Sequence, residues 1–343
     1  MDSLTQAVLG AALQGSLLGR VQGRKALLYG AALGTLPDLD VLIDFGDAVA
    51  QMTYHRGFSH SIFLISAFSL LLTVLVRWRW PQAPYSARRF LGCVWLVLVT
   101  HVLIDACTTY GTQLFWPLPV EPLNFTNIFV IDPAYTLPML IGIVVALWFG
   151  LAGRGRRWLN GGLLAATLYM ASTFANQALM QARIERELAE AGVNYEQLLV
   201  MPTPLNTLAW RFLARDGDHY VEGVRSWLDD GPLQWSRQPL GLELCEVVEA
   251  MPQHRRLLWF NGGWMSYRED QGRLLVTDLR LGMLGSHSFR FVMALRDEQG
   301  QWQPQEWVEQ LPMDLGTPEQ RQLLLARILG NEQVFAKLAR NSR

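Results

Sequence analysis

His101 and Asp105 stand four apart in the apolar run from Phe90 to about Cys107. On a helix that spacing projects both side chains from one face, one turn apart. It suits two ligands on one metal, or a histidine oriented by a carboxylate. A mutually satisfied buried pair that only fixes helix packing is the plainer alternative. Two more stretches offer related groups: Pro37-Asp38-Leu39-Asp40 brings two carboxylates, and His55-Arg56-Gly57-Phe58-Ser59-His60-Ser61 brings two imidazoles. Together they form a ligand set for zinc, manganese or iron: Asp38, Asp40, His55, His60, His101 and Asp105. A carboxylate kept off the metal, with Asp40 the choice, would serve as general base toward water. Arg56 between the two histidines is placed to neutralise a phosphoryl or carboxylate oxygen, the alternative being an ion pair with Asp44 or Asp47. A helix cap or a turn after Pro37 is the corresponding alternative for Asp38 and Asp40. Gln6, Ser61 and Asp132 are expected in a second layer, and Asp132 ahead of Pro133 also reads as a complete helix N-cap.

These residues must be held by apolar segments. The chain has 343 residues, half of them hydrophobic and 17% charged. Residues 1–180 carry 11 basic and 8 acidic side chains, whereas the remaining 163 carry 18 and 22, so one half reads as lipid-solvated and the other as globular. Runs from Ser61 to Val76, Phe90 to Cys107, Ala134 to Leu151 and Trp158 to Leu179 are predicted membrane helices. Leu4 to Leu18 and Ala26 to Leu36 are shorter and rich in Gly and Ala; short spans, a re-entrant hairpin or buried helices all fit. Ala7, Gly10, Ala11 and Gly15 suit close helix packing.

Three basic turns, at Arg20 to Lys25, Arg77 to Arg89 and Arg154 to Arg157, are expected in the cytoplasm by the positive-inside rule. The connections Asp44 to His60 and Tyr110 to Pro133 then face outward, together with the histidines, the eight acids and everything after Met180. The expected architecture is a helical membrane domain of four to six spans over residues 1–180, followed by a small extracytoplasmic α+β domain over residues 181–343. In that second domain the pattern predicts a helix from Gln181 to Ala191, a hairpin turning at Asp216-Gly217, strands at Arg255 to Tyr267, Arg273 to Leu281 and Ser288 to Leu295, and a capped helix from Thr317 to Leu338. Trp259, Trp264 and Trp302 are expected as core or interfacial aromatics.

A formal net charge of −1 removes any general electrostatic case for nucleic acid. P-loop, dinucleotide and Gly-x-Ser-x-Gly signatures are absent from the sequence, which argues against nucleotide-driven and serine-hydrolase chemistry. Cys93, Cys107 and Cys245 give no disulfide framework.

At the motifs named above, extended by Met1-Asp2-Ser3-Leu4-Thr5-Gln6 and Tyr110-Gly111-Thr112-Gln113, the sequence resembles the YdjM family of membrane-bound, metal-dependent hydrolases. The resemblance covers about the first 140 residues, extending toward Met180. It implies an integral membrane protein with some likeness to the all-helical zinc-dependent phospholipase C group. It also implies a divalent metal, zinc foremost, on the six ligands listed above by position. Many relatives place His directly after the Thr near the start, where this chain has Gln6, a poorer zinc ligand. The expected function is hydrolysis of a lipid or other envelope ester or phosphoester at the outer face of the cytoplasmic membrane, the bilayer being the surrounding partner. The rival is a non-enzymatic membrane protein, a divalent-metal transporter or a scaffold.

Overall fold

The first helix starts where the sequence supplies an acceptor. The Asp2 carboxylate takes the amides of Leu4 and Thr5, and α1 runs Ser3–Gln22 in the computed structural model, which describes residues 1–284, 286–313, 317–335 and 337. Gly23 reverses the chain into α2, Lys25–Thr35. The two helices meet backbone to backbone: a Cβ at Gly10 would lie 2.2 Å from the Gly30 oxygen, and one at Gly34 2.4 Å from the Gln6 oxygen. Glycine at these positions is a packing requirement, as the small-residue pattern predicted. Eleven residues at about 1.5 Å each span roughly half of a 30 Å hydrocarbon core, so α2 is too short to cross a bilayer alone.

A 3₁₀ turn, Pro37–Leu42, carries both carboxylates of the Asp-Leu-Asp motif, and another, Phe58–His60, precedes α4, Ile62–Arg79. Between them lies α3, Ala48–Tyr54. Ser86 caps α5, Ala87–Ala106, and Asp132 caps α6, Pro133–Phe149, with Pro133 in the first turn. Among the described residues α4 and α5 are the helices long and apolar enough to cross a membrane, while α6 is apolar but only 17 residues long. The expected segments Trp158 to Leu179 and Gln181 to Ala191 are one continuous helix, α7, Arg154–Glu190, of 37 residues. The polar stretch at Asn176 and Gln177 interrupts hydrophobicity without breaking the helix, because neither Gly nor Pro is present there.

Contacts divide the chain into two units, one of residues 1–44 and 54–174, the other of residues 45–53 and 175–343. Segment 45–53 joins the second unit through Gln253 Nε2, which donates to Asp47 at 3.1 Å, and Arg256 Nε, which donates to the Thr53 hydroxyl at 3.1 Å.

The second unit is rich in β-structure. One antiparallel sheet has the order β1 (Gln197–Pro202), β2 (Ala209–Asp216), β3 (His219–Ser226), β4 (Trp235–Pro239). The predicted hairpin turns at Gly217, pairing Arg215 with Tyr220. Trp210, Phe212 and Ala214 pack on Met180, Ile184 and Leu188 of α7. Residues Arg255 to Asn261 are not strand, as the sequence pattern had suggested, but part of α8, Pro252–Asn261. Pro252 starts that helix, Gly262 stops it, and His254, Leu257, Phe260 and Asn261 form its buried face.

The second sheet contains β5 (Met265–Asp270), β6 (Arg273–Asp278), β9 (Arg290–Arg296) and β10 (Trp302–Gln310), in the order β10-β9-β6-β5. A small hairpin pairs β7 (Gly282–Met283) with β8 (Ser286–His287). The final capped helix, α9, is shorter than expected, Pro318–Ile328: Thr317 and Gln320 form the predicted capping box, and Gly330, in a left-handed conformation, follows its end. Leu338 lies outside the described residues. Trp259, Trp264 and Trp302 are all half-buried.

His287 gives this unit a pH dependence. Burial, with Arg211, Arg290 and Arg268 nearby, pushes its imidazole down to about 3, and Arg211 Nη2 stands 3.4 Å from its Nε2. The unfolded chain takes up this proton near 6.5 while the folded chain does not, so stability is full above that pH and falls as pH drops toward 3. The expected slope is at most about 1.4 kcal/mol per pH unit for one proton. Denaturant melts of wild type and His287→Gln between pH 7 and 4 check this: the slope should flatten in the variant, and equal slopes would remove His287 as its source.

Candidate metal centre

Four ligand atoms converge at the end of the first unit where α2 finishes, α4 begins and α5 finishes. They belong to Asp38, His60, His101 and Asp105, and all lie within 4.8 Å of one another. His60 Nε2 is 3.1 Å from Asp105 Oδ2 and 3.5 Å from Asp38 Oδ1. His101 Nε2 is 3.2 Å from Asp105 Oδ2, 3.4 Å from Asp38 Oδ1 and 3.3 Å from His60 Nε2. Atoms placed tetrahedrally at about 2.0–2.2 Å from a central ion stand about 3.3–3.6 Å apart, close to the 3.1–3.5 Å that separate the two imidazole nitrogens from each other and from both carboxylates. His60, His101 and Asp105 are fully buried, and Asp38 alone reaches toward solvent, its side chain 16% exposed.

The outer partners of the histidines decide which atoms face inward. His101 Nδ1 lies 2.6 Å from the Gly34 carbonyl, an acceptor only, so Nδ1 carries the proton and Nε2 presents a lone pair. The Ser59 hydroxyl donates to Asp40 Oδ2 and therefore accepts from His60 Nδ1 at 2.9 Å, which leaves His60 Nε2 in the same state. Two imidazole lone pairs and two carboxylate oxygens thus point at one another. Protonating both Nε2 atoms would instead oppose two N–H groups across 3.3 Å. A cation satisfies all four acceptors at once, and among the described residues the buried Asp38 Oδ1 has no hydrogen-bond donor of its own.

Asp105 is anchored from its other oxygen: Oδ1 pairs with Arg56 Nη2 at 3.1 Å and with the Met1 amino group. Arg56 is buried, in the left-handed region at φ 59°; its Nη1 donates to the Thr108 hydroxyl, and its guanidinium lies 5.0 Å from the centre of the Tyr110 ring. Its ion-pair partner is Asp105, where the sequence had offered Asp44 or Asp47.

The six residues expected as ligands therefore divide. Asp38, His60, His101 and Asp105 come together, while Asp40 and His55 form a pair beside them, with Asp40 Oδ1 2.7 Å from His55 Nδ1. Asp40 also accepts from the Arg56 amide at 3.0 Å. Burial would raise its carboxyl, but hydrogen bonds from His55 and Ser59 hold it below the usual carboxylate range. The His55 ring lies edge-on to Tyr110, its centre 6.1 Å from that of His60, and the side chain is 21% exposed.

Of the residues expected in a second layer, Ser61 and Asp132 bond elsewhere, and Gln6 reaches the backbone of His101. Ser61 donates to the Trp116 carbonyl at 2.6 Å. Asp132 caps α6 and accepts from the Tyr169 hydroxyl at 2.8 Å, so its structural explanation is complete. Gln6 donates to the His101 carbonyl at 3.3 Å, and among the described residues its buried Oε1 has no partner. Sequence reasoning missed Ser59 and Gly34 as orienting groups. Ser59 sat in plain view inside the His-x-x-x-x-His stretch; the Gly34 contribution is a main-chain carbonyl and leaves no side-chain signal.

A helical unit with two membrane-length helices and a buried cluster of four metal-ligating atoms defines a membrane protein with a candidate metal centre. Residues 1–180 match the family described as YdjM inner membrane protein, and the chain belongs to that family. It is 30% identical over 181 residues to inner membrane protein YbcI of Escherichia coli (strain K12), covering 48% of this chain and 95% of that one. It is 27% identical over 235 residues to the uncharacterized protein YfhP of Bacillus subtilis (strain 168), covering 65% of this chain and 68% of that one. No solved structure matches.

Proposed function

We propose that this chain is a zinc-dependent hydrolase of the inner membrane, acting on an ester or phosphoester of a lipid or other envelope molecule. The observation that carries the reading is the cluster of four inward-facing acceptors with one partly exposed member, Asp38. Asp38, His60, His101 and Asp105 would hold the ion, which would supply Lewis-acid chemistry and a nucleophile at neutral pH. Asp40 holds His55 through Nδ1, leaving Nε2 as the atom that takes the proton from the attacking water and returns it to the leaving group. Arg56 acts through Asp105, fixing the carboxylate that faces both histidines. This differs from direct contact with an anionic substrate, and its burial favours the positioning role.

Hydrolysis of a phosphodiester probe and of a carboxylic ester probe by the purified full-length chain tests the reading. Activity should vanish with chelator, return with zinc or manganese, and fall about 10²–10⁴-fold in His55→Gln with metal retained. A metal-loaded wild-type chain that cleaves neither probe nor phospholipid vesicles would sink it.

We place the site and the second unit on the outer face of the membrane, with several helices crossing it, because the basic turns of the first unit lie at the helix ends opposite the cluster. Reporter fusions after Met180 and after Arg343 should both report an extracytoplasmic position; cytoplasmic signals from both would reverse the orientation.

A further inference from the structure

An open groove of about 450 Å³ runs between α6 and α7, from Arg157 near the basic start of α7 to Pro138 in the first half of α6. Its walls are apolar, formed by Pro138, Ile141, Trp158 and Ala165, with Arg157 at one end. Two glycines bring the helices together beside it: a Cβ at Gly162 would lie 2.3 Å from the Pro138 oxygen, and one at Gly142 2.9 Å from the Leu159 Cα. Gly161 also lines the groove but is different, since a Cβ there meets nothing within 4 Å. Helix packing explains Gly142 and Gly162 and leaves Gly161, a poor residue for a helix interior, unexplained.

The charges at this end are unequally committed. Arg154 lies over the Phe149 ring at 5.1 Å, and Arg156 donates to the Ser16 carbonyl at 3.2 Å. Arg157 is exposed and makes no ion pair among the described residues. Trp148 and Trp158, 76% and 51% exposed, stand at the same end, as aromatic side chains do at the headgroup level of a bilayer. From Arg157 to Ala165 the groove follows about 12 Å of helix, close to the depth of one leaflet of a roughly 30 Å core.

We propose that this groove is a binding site for an anionic phospholipid of the surrounding membrane, with its phosphate on Arg157 and an acyl chain along Trp158, Gly161 and Ala165. The uncommitted guanidinium supplies the charge complementarity, as basic pockets between membrane helices do for anionic headgroups. The inference is independent of any hydrolytic activity.

Native mass spectrometry of the full-length chain, titrated in detergent with phosphatidylglycerol and separately with phosphatidylethanolamine, tests it. Wild type should hold one phosphatidylglycerol at least about fivefold more tightly than phosphatidylethanolamine. Arg157→Gln should erase that preference. Gly161→Leu, which fills open space at no cost to helix packing, should weaken both lipids while the melting temperature stays level or rises. Equal affinity of wild type for the two lipids overturns the proposal, as does a preference that survives Arg157→Gln or binding that survives Gly161→Leu.

Discussion

Purified in detergent, the full-length chain is expected to carry close to one divalent ion per molecule, whereas His60→Ala and His101→Ala carry almost none. The reason is electrostatic as well as geometric. Each histidine contributes an Nε2 within 3.5 Å of both Asp38 and Asp105, so removing either deletes a corner shared by several edges of the cluster. The two carboxylates then face each other with less compensation. The surrounding groups grade the effect. Ser59→Ala and Asp40→Asn leave all four ligands in place but free the His60 ring, and should weaken metal affinity by about 10–100-fold. Elemental analysis of each variant, with folding followed by circular dichroism, separates the possibilities. Folded variants that lose metal establish the centre. A wild-type chain that holds no ion after reconstitution with zinc, manganese or iron would reduce the cluster to a helix-packing device, and the scaffold reading would then lead.

The second large effect is expected in the other unit. Asp229→Ala should cost about 3–5 kcal/mol, because it strips the buried Arg327 guanidinium of the carboxylate it pairs with. Both oxygens of Asp229 accept from Arg327, at 2.7 and 2.6 Å, and Oδ2 also takes the Ser226 amide at 2.7 Å. Arg327 is 1% exposed and donates further to the Val224 carbonyl, so it joins α9 to β3 and to the turn that follows it, beside a bond from the Ser226 hydroxyl to the Ile328 carbonyl. Replacing both partners with apolar residues of similar volume should cost much less than removing Asp229 alone. Chemical denaturation of the three proteins checks both expectations; a loss below about 1 kcal/mol in Asp229→Ala would mean that water reaches Arg327.

The residues that form the cluster were legible in the sequence because each motif is local. His101 and Asp105 are one helical turn apart, and Asp38 and His60 sit at the ends of apolar runs that must finish near one another. Division of labour inside the motifs was not legible. Asp38 and Asp40 are two residues apart and chemically identical, yet a 3₁₀ turn sends one toward the histidine pair and the other toward His55, Ser59 and the Arg56 amide. Spacing alone does not state that difference. The same holds for the fold: alternating patterns found the hairpin at Gly217, but Leu257-Leu258-Trp259-Phe260 is apolar enough to read as strand. The flanking Pro252 and Gly262 carry the helical signal there, and the apolar run masks it.

The two histidines are oriented in different currencies of inheritance. His60 depends on the side chains of Ser59 and Asp40, each of which a single codon change can remove. His101 depends on the carbonyl of Gly34, a group that every amino acid possesses. Mutation can disturb that contact only by displacing the end of α2, and the 2.4 Å approach to Gln6 means that any added side chain would do so. Genetic drift should therefore wear the centre down from the His60 side first. Variants at Gly34 would show themselves as lost helix packing and lost metal together, a double phenotype that a ligand substitution would not produce.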